Sequence, residues 1–208
     1  MTDLQGALRA GATIDAIAAA LDALDHQERV RQTRALRPAD QATLYRLAEG
    51  RHTNLDFFVP AGTPFGVEVV HEGINTLPVI GGPFQKRFAR DPDDPGRLLG
   101  YNHNNSGIVS HLFFVTGPGY FVVRETGSTS PDGRTDHGGQ LFINYYEQPA
   151  VAPVASWPHP KPPMAFTAGL VWGQMSDYMW RVSAHVSIGT AFKKGRPLQQ
   201  YFVLVRSA

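Results

Sequence analysis

Five polar side chains stand out as residues of this chain that could act together in chemistry. His111 falls within an apolar run, residues 108–116, that has the β-branched and aromatic composition of a strand. The others lie in or at the ends of later strand-like runs: Arg124, Asn144, Tyr146 and His185. If the polar sides of these strands face one another, the five side chains line one cavity in an aromatic setting. Such a cavity would bind a small molecule, and a histidine in it could move a proton while Arg124 holds an anion.

The alternative for the same five residues is structural. Each one can be a separately hydrogen-bonded residue of the core or of a sheet edge, because a buried polar group without a partner costs about 1 to 3 kcal/mol. One shared site and five separate roles are both compatible with the sequence, and both interpretations stay open at this point.

Other kinds of site lack their sequence signals. The eight histidines show no His-x-His or His-Glu-x-x-His spacing, and the chain has no cysteine, so neither a metal site nor a cysteine nucleophile is expected. The chain also has no glycine-rich dinucleotide or phosphate loop and no Gly-x-Ser-x-Gly nucleophile elbow. We therefore expect no metal and no cofactor.

Charge and hydropathy argue against two further classes of protein. The 19 basic and 18 acidic side chains leave a formal net charge of +1, which argues against nucleic-acid binding. No apolar run approaches the roughly 18 residues of a membrane-spanning helix, and no basic start followed by an apolar stretch suggests a secretory signal. The expectation is a soluble cytoplasmic protein without a membrane span, and a homo-oligomer is left open.

The first 50 residues have the pattern of helices. Apolar side chains at three- and four-residue spacing predict a short helix that stops near Gly11 and a second helix from Thr13 to about Leu36. A third helix is predicted from Pro38 until Gly50 ends it. About three helices are therefore expected in this N-terminal section.

From residue 55 onward, short β-branched and aromatic runs alternate with turn residues. Strands are predicted over residues 55–59, 66–71, 84–90, 108–116, 120–126 and 140–146. The polar segment 101–107 is interpreted as a loop. Segments 117–119 and 130–134 have the composition of hairpin turns, so three consecutive antiparallel strands are expected.

The remaining third of the chain begins with a proline-rich connection. Six prolines in residues 149–163 predict an extended surface segment packed by Trp157. Residues 167–181 are predicted as a helix, because their apolar side chains form one stripe at about 100° per residue. Alternating residues then predict a strand over 182–189, and a turn rich in Lys and Gly leads to a last strand over 198–205.

These elements predict one α+β domain over residues 1–208, with a helical section at 1–50 and a β-rich body at 51–208. The body is a mostly antiparallel sheet, open or closed into a barrel, that is interrupted by the helix near 167–181. The favoured function is the binding of a small, partly apolar ligand in a cavity of this curved sheet.

Two alternatives to ligand binding remain. The first is a noncatalytic interaction or structural protein that uses the apolar stripe of the N-terminal helices, formed by Ile14, Ile17, Leu21 and Leu24. The second is a cofactor-free enzyme with a histidine as acid or base.

Overall fold

The computed structural model describes residues 3–76, 82–103, 119–126, 140–160 and 175–207. Within these residues five helices precede eight strands, so the fold is α+β as predicted. The helices are α1 (Leu4–Arg9), α2 (Ile14–Asp22), α3 (His26–Arg34), α4 (Pro38–Ala48) and α5 (Leu55–Phe58). The strands are β1 (Val69–Asn75), β2 (Gly82–Arg90), β3 (Leu98–His103), β4 (Tyr120–Glu125), β5 (Leu141–Asn144), β6 (Met175–Arg181), β7 (Val186–Lys193) and β8 (Arg196–Arg206).

Side-chain caps determine where the first three helices begin. Asp3, Thr13 and Asp25 each accept a hydrogen bond from the backbone N–H three residues later. The cap at Asp25 divides the segment predicted as one helix, 13–36, into α2 and α3. The expectation of a continuous helix there is wrong, and residues 3–50 form four helices.

The eight strands form a closed antiparallel barrel in which each strand pairs with the next one along the chain. Pairing of β1 with β8 closes it, with Gly73 opposite Leu204. The sheet that the sequence predicted therefore closes and does not stay open. The interior of an eight-stranded barrel is wide enough to be filled by side chains or to hold one small ligand.

The barrel has an apolar interior and a partly covered outer face, because successive residues of a strand point to opposite sides. One core cluster lies inside and receives residues such as Phe88, Phe121 and Leu204 from strands all round the barrel. A second cluster lies outside, where the N-terminal helices pack on β6, β7 and β8, and it includes Ile17 and Leu21. Part of the apolar stripe of α2 is thus covered by the chain itself.

Helix α5 closes one end of the barrel. The sequence predicted a strand over 55–59, but Asn54 caps a helix there by accepting a hydrogen bond from the Phe57 N–H at 2.9 Å. Phe57 and Phe58 then join the interior cluster, and the Phe58 ring stacks on His71 with 5.1 Å between ring centroids. The strand prediction is wrong because an aromatic run has the same composition in a buried helical turn as in a strand.

The helix predicted over 167–181 is contradicted where the structure describes that segment. Residues 167–174 lie outside the described part of the chain, and the rest of the segment is strand β6. Its apolar side chains lie on both faces of the strand, Met175 and Met179 inside the barrel and Tyr178 and Trp180 outside. A strand buried on both faces has apolar residues at spacings that also fit a helical stripe, which explains the error.

Strand β3 was not predicted. The segment interpreted as a loop, 101–107, begins with Tyr101, Asn102 and His103, which complete this strand. Asparagine is uncommon in strands, so it points to a turn when the sequence is considered alone. Here Asn102 lies opposite Lys86 of β2, where its side chain finds partners inside the barrel. The predicted strand 108–116 lies outside the described residues.

Among the other expectations for the body of the fold, the predicted strand 66–71 overlaps β1 only from residue 69, and the predicted turn segments 117–118 and 130–134 lie outside the described residues. Strands β2, β4 and β5 overlap the predicted runs, and β4 and β5 are antiparallel neighbours. The predicted strand 182–189 begins at Val186, after a turn. Lys194 and Gly195 make the last hairpin with φ values of 52° and 69°, the left-handed conformation that two-residue hairpins use. Trp157 packs the proline-rich connection against Tyr101 at 4.9 Å between ring centroids.

Candidate functional site

Four polar side chains meet inside the barrel among apolar ones. Lys86 lies on β2 opposite Asn102 on β3, Asp177 lies on β6, and Tyr145 directly follows β5. Their exposed fractions are 2% for Lys86, 5% for Asn102, 7% for Tyr145 and 3% for Asp177. We call these four residues the interior polar cluster.

Hydrogen bonds join all four members of the interior polar cluster. Lys86 Nζ donates to Asn102 Oδ1 at 3.0 Å, to Asp177 Oδ2 at 3.2 Å and to the Tyr145 hydroxyl. The Tyr145 hydroxyl donates to the same carboxylate oxygen at 3.0 Å, and Asn102 Nδ2 donates to the hydroxyl at 3.3 Å. The amine, the carboxyl and the phenol are therefore mutually within hydrogen-bonding distance.

Aromatic rings surround the nitrogen of Lys86. Its distance to the ring centroid is 4.8 Å for Phe121, 5.0 Å for Tyr145, 5.1 Å for Phe202 and 5.9 Å for Phe84. Rings at this range attract a cation and exclude water. An alkyl or aryl group bound beside this nitrogen would lie among these rings.

Burial is the largest influence on the ionisation of the cluster. Desolvation lowers the pKa of Lys86, against the attraction of Asp177, and it raises the pKa of Asp177, against the charge of Lys86 and the hydrogen bonds that the carboxyl accepts. Both shifts favour transfer of the proton from the ammonium group to the carboxylate. Burial also raises the pKa of Tyr145 well above its usual value, so its phenol keeps its proton.

Packing does not account for the interior polar cluster. A buried pair of an amine and a carboxyl group is often no more stabilising than apolar residues of the same volume, so packing alone does not require one in an otherwise apolar interior. Strongly shifted groups that share a site are, in contrast, typical of places where ligands bind or protons move. The interior polar cluster is therefore the candidate site.

His71 lies next to the cluster, on the side towards α5. It is the cross-strand neighbour of Lys86, and its Nε2 lies 2.9 Å from the carbonyl oxygen of Phe58. Burial lowers the pKa of His71 to about 3, so the ring is neutral at physiological pH and Nε2–H donates to that carbonyl. This histidine fixes α5 to the barrel wall.

Three of the five residues predicted from the sequence lie together, but on the outer side of the sheet. The carboxylate of Glu147 accepts hydrogen bonds from Arg124 Nη2 at 3.3 Å and from Asn144 Nδ2 at 3.1 Å. The Tyr146 N–H donates to Asn144 Oδ1 at 2.9 Å, and the Tyr146 side chain is 52% exposed. The structure thus brings Arg124, Asn144 and Tyr146 near one another without placing them in the interior polar cluster.

The two predicted histidines do not extend this outer group within the described residues. His185 lies in the turn between β6 and β7, at the barrel end that α5 closes, whereas Asn144 ends β5 at the other end. Burial, together with the charge of Arg29, lowers the pKa of His185. His111 lies outside the described residues, and ligand binding by these five side chains stays a prediction.

Sequence reasoning missed the interior polar cluster, although one signal for it was present. Lys86 stands between Phe84 and Phe88, and Asp177 stands between Met175 and Met179, at the two-residue spacing that shares one face of a strand. A charged residue between two large apolar residues on a strand face is a candidate for a buried functional group. The helix interpretation of 167–181 concealed this signal at Asp177.

Comparison of the chain with protein-family models, with curated proteins and with solved structures finds no match. Within the described residues, no group of three or more His, Asp or Glu side chains is placed to hold a metal ion. A search of that same part of the chain finds no helix with the length and hydropathy needed to cross a bilayer.

Proposed function

We propose that this protein binds a small, partly apolar molecule inside the barrel, with the polar end of the molecule at the interior polar cluster. The observation that carries the proposal is the pairing of Lys86 with Asp177, both at most 3% exposed, within an aromatic interior. A partly apolar ligand fits both the interior polar cluster and the aromatic rings, since its polar group would form hydrogen bonds with the cluster and its apolar group would contact the rings.

The size of the barrel supports a small ligand. Eight strands enclose room for side chains or for one compact molecule, and not for an aqueous channel. Three interior glycines show how closely the interior is packed. A Cβ atom would lie within 2.5 Å of a side-chain atom at each of them: of Phe84 at Gly73, of Phe121 at Gly100 and of Met179 at Gly189. The large interior side chains already use the space over these glycines, so only a small ligand would fit beside them.

The interaction function considered from the sequence receives less support. Ile17 and Leu21 of the α2 stripe are each 1% exposed, because they pack within the N-terminal helices and against the outer face of the barrel. A partner protein would have to displace the chain's own packing to use them.

Binding can be tested by NMR with benzyl alcohol and benzoate as probes of matched size. Titration into the ¹⁵N-labelled protein should shift the amide signals of the interior glycines Gly73, Gly100 and Gly189. The surface glycines Gly11, Gly50 and Gly62, whose Cβ positions meet no atom within 4 Å, should stay unshifted.

Matched variants locate the bound molecule. Lys86→Met should weaken the interior shifts, whereas Lys194→Met, which removes the same charge from an exposed turn, should not. The proposal fails if neither probe shifts the interior glycines at millimolar concentration, or if the shifts are the same with and without Lys86.

A further inference from the structure

We propose that Lys86 forms an imine with an aldehyde or ketone inside the barrel, so that the bound molecule is a carbonyl compound held covalently and reversibly. This inference rests on the proposed function and assigns the chemical class of its ligand. Its basis is geometric: a primary amine lies within hydrogen-bonding distance of a carboxyl and a phenol, among aromatic rings.

The amine must be unprotonated to attack a carbonyl carbon. An exposed lysine is almost entirely an ammonium ion at pH 7, because its ordinary pKa leaves only about one side chain in 2,500 as the neutral amine. Burial of Lys86 beside Asp177 favours the neutral amine and the neutral carboxylic acid over the separated charges. The chain has three other lysines, Lys161, Lys193 and Lys194, and all are well separated from Lys86 in sequence. Of these, Lys194 is exposed.

Formation of the imine uses the neighbouring carboxylic acid of Asp177. The nitrogen lone pair of Lys86 forms a bond to the carbonyl carbon while the C=O π bond breaks, and a proton from the nitrogen goes to the oxygen. The carboxylic acid of Asp177 then donates a proton to this hydroxyl group, the C–O bond breaks, and water leaves as the C=N bond forms.

The reaction balances without any other reactant. Amine and carbonyl give imine and water, with no oxidation or reduction. The second proton of the nitrogen either stays on an iminium ion paired with the Asp177 carboxylate or passes to that carboxylate. Tyr145 acts as a positioning residue, since its hydroxyl contacts both Lys86 and Asp177.

The surroundings of the nitrogen indicate which carbonyl compounds fit. Phe121 and Phe202 lie about as far from Nζ as the ring of Tyr145 does, at 4.8 and 5.1 Å against 5.0 Å, so the substituents of the carbonyl carbon would contact apolar surfaces. Benzaldehyde and short unbranched aldehydes meet this requirement, whereas sugars would leave their hydroxyl groups unpaired.

Reductive trapping tests the inference in the wild-type protein. Benzaldehyde and sodium cyanoborohydride convert an imine into a stable benzylated lysine, which peptide mass spectrometry locates. At pH 7 we expect benzylation of Lys86 to be at least about tenfold faster than that of Lys194, because a larger fraction of its amine is neutral, and also faster than that of the N-terminal amine. All sites are compared in one sample, so the result does not depend on a variant that must fold.

Variants and a second ligand separate the possible outcomes. Asp177→Asn should slow the labelling of Lys86 at least about tenfold by removing the acid, provided that the near-UV circular dichroism shows a native barrel. Labelling confined to the other lysines and the N-terminus would overturn the inference. If benzyl alcohol shifts the interior glycines while Lys86 stays unlabelled, binding stands and imine formation fails; if neither occurs, both proposals fail.

Discussion

Lys86 Nζ lies 3.2 Å from Asp177 Oδ2, although 91 residues separate the two in the sequence. Closure of the barrel brings β2 and β6 across the same interior, and the pair has almost no contact with solvent.

Removal of one partner of this pair should cost more than removal of both. Lys86→Met leaves an uncompensated carboxyl in the interior and should lower the free energy of unfolding by about 3 kcal/mol, whereas Lys86→Met with Asp177→Leu should lower it by less. Urea unfolding followed by circular dichroism measures both values. For comparison, Arg51→Met breaks the exposed pair with Asp15 and should cost less than about 1 kcal/mol. Equal losses for the interior and exposed pairs would contradict an interior pair that is shielded from solvent.

Adjacent tyrosines on opposite sides of the sheet distinguish the interior site from the outer one. Tyr145→Phe removes a hydroxyl that contacts Lys86, Asn102 and Asp177, and should lower stability by about 1 to 3 kcal/mol. It should also reduce the response of the interior glycines to benzyl alcohol. Tyr146→Phe alters a half-exposed side chain and should have the smaller effect on both measurements. The reverse order would favour ligand binding at the outer group of Arg124, Asn144 and Tyr146.

His71 should make the protein less stable in acid. Its pKa is lowered from 6.5 to about 3 in the folded chain, so the unfolded chain binds a proton in this window that the folded chain does not. Stability therefore falls as the pH falls from about 6.5 towards 3, by up to about 1.4 kcal/mol per pH unit from this residue. His71→Phe should remove that contribution and, at pH 7, cost about 0.5 to 1.5 kcal/mol for the lost hydrogen bond to Phe58.

The pH dependence of stability can be measured by urea unfolding at a series of pH values. His159→Phe replaces an exposed histidine and serves as the control. The free energy of unfolding of this variant should change with pH as that of the wild type does. A slope that His71→Phe leaves unchanged would show that this histidine is not neutral when buried.

Gly100 should tolerate no side chain. A Cβ atom there would lie 2.3 Å from the Phe121 ring and 2.6 Å from the Arg87 carbonyl oxygen, and the backbone atom cannot move aside easily. Gly100→Ala should lower the melting temperature through a loss of about 1 to 3 kcal/mol. Gly62→Ala, where nothing lies within 4 Å, should leave it nearly unchanged. A neutral Gly100→Ala would mean that Phe121 moves freely, which conflicts with a packed site around Lys86.

The helical section and the barrel should unfold together, as the single-domain prediction requires. Leu44 of α4 is completely buried in the cluster that joins the helices to β6, β7 and β8. Leu44→Ala should cost about 2 to 5 kcal/mol and shift the far-UV and near-UV transitions by the same amount. Arg46→Ala, on the exposed side of the same helix, should change little. A shift of the helical signal alone would divide the chain into two independently folding units.

Local signals account for the features that the sequence predicted correctly. The capping residue Thr13 acts within one helical turn, and the hairpin at Lys194 and Gly195 depends on its own backbone conformation. The segregation of helices and strands, and with it the α+β class, follows from such signals. They fail at 55–59 and 175–181, where both kinds of element bury their apolar residues on more than one side.

The candidate site required the tertiary structure. The sequence by itself determined that Lys86 lies on a strand between two phenylalanines, and this alternation alone marks it as a charge on an apolar face. Only the closed barrel decided that Asp177, Tyr145 and Asn102 reach the same point, because the partner of a buried charge is set by strand order and register. Burial, which determines the chemistry of these groups, is likewise a property of the assembled barrel and not of any one strand.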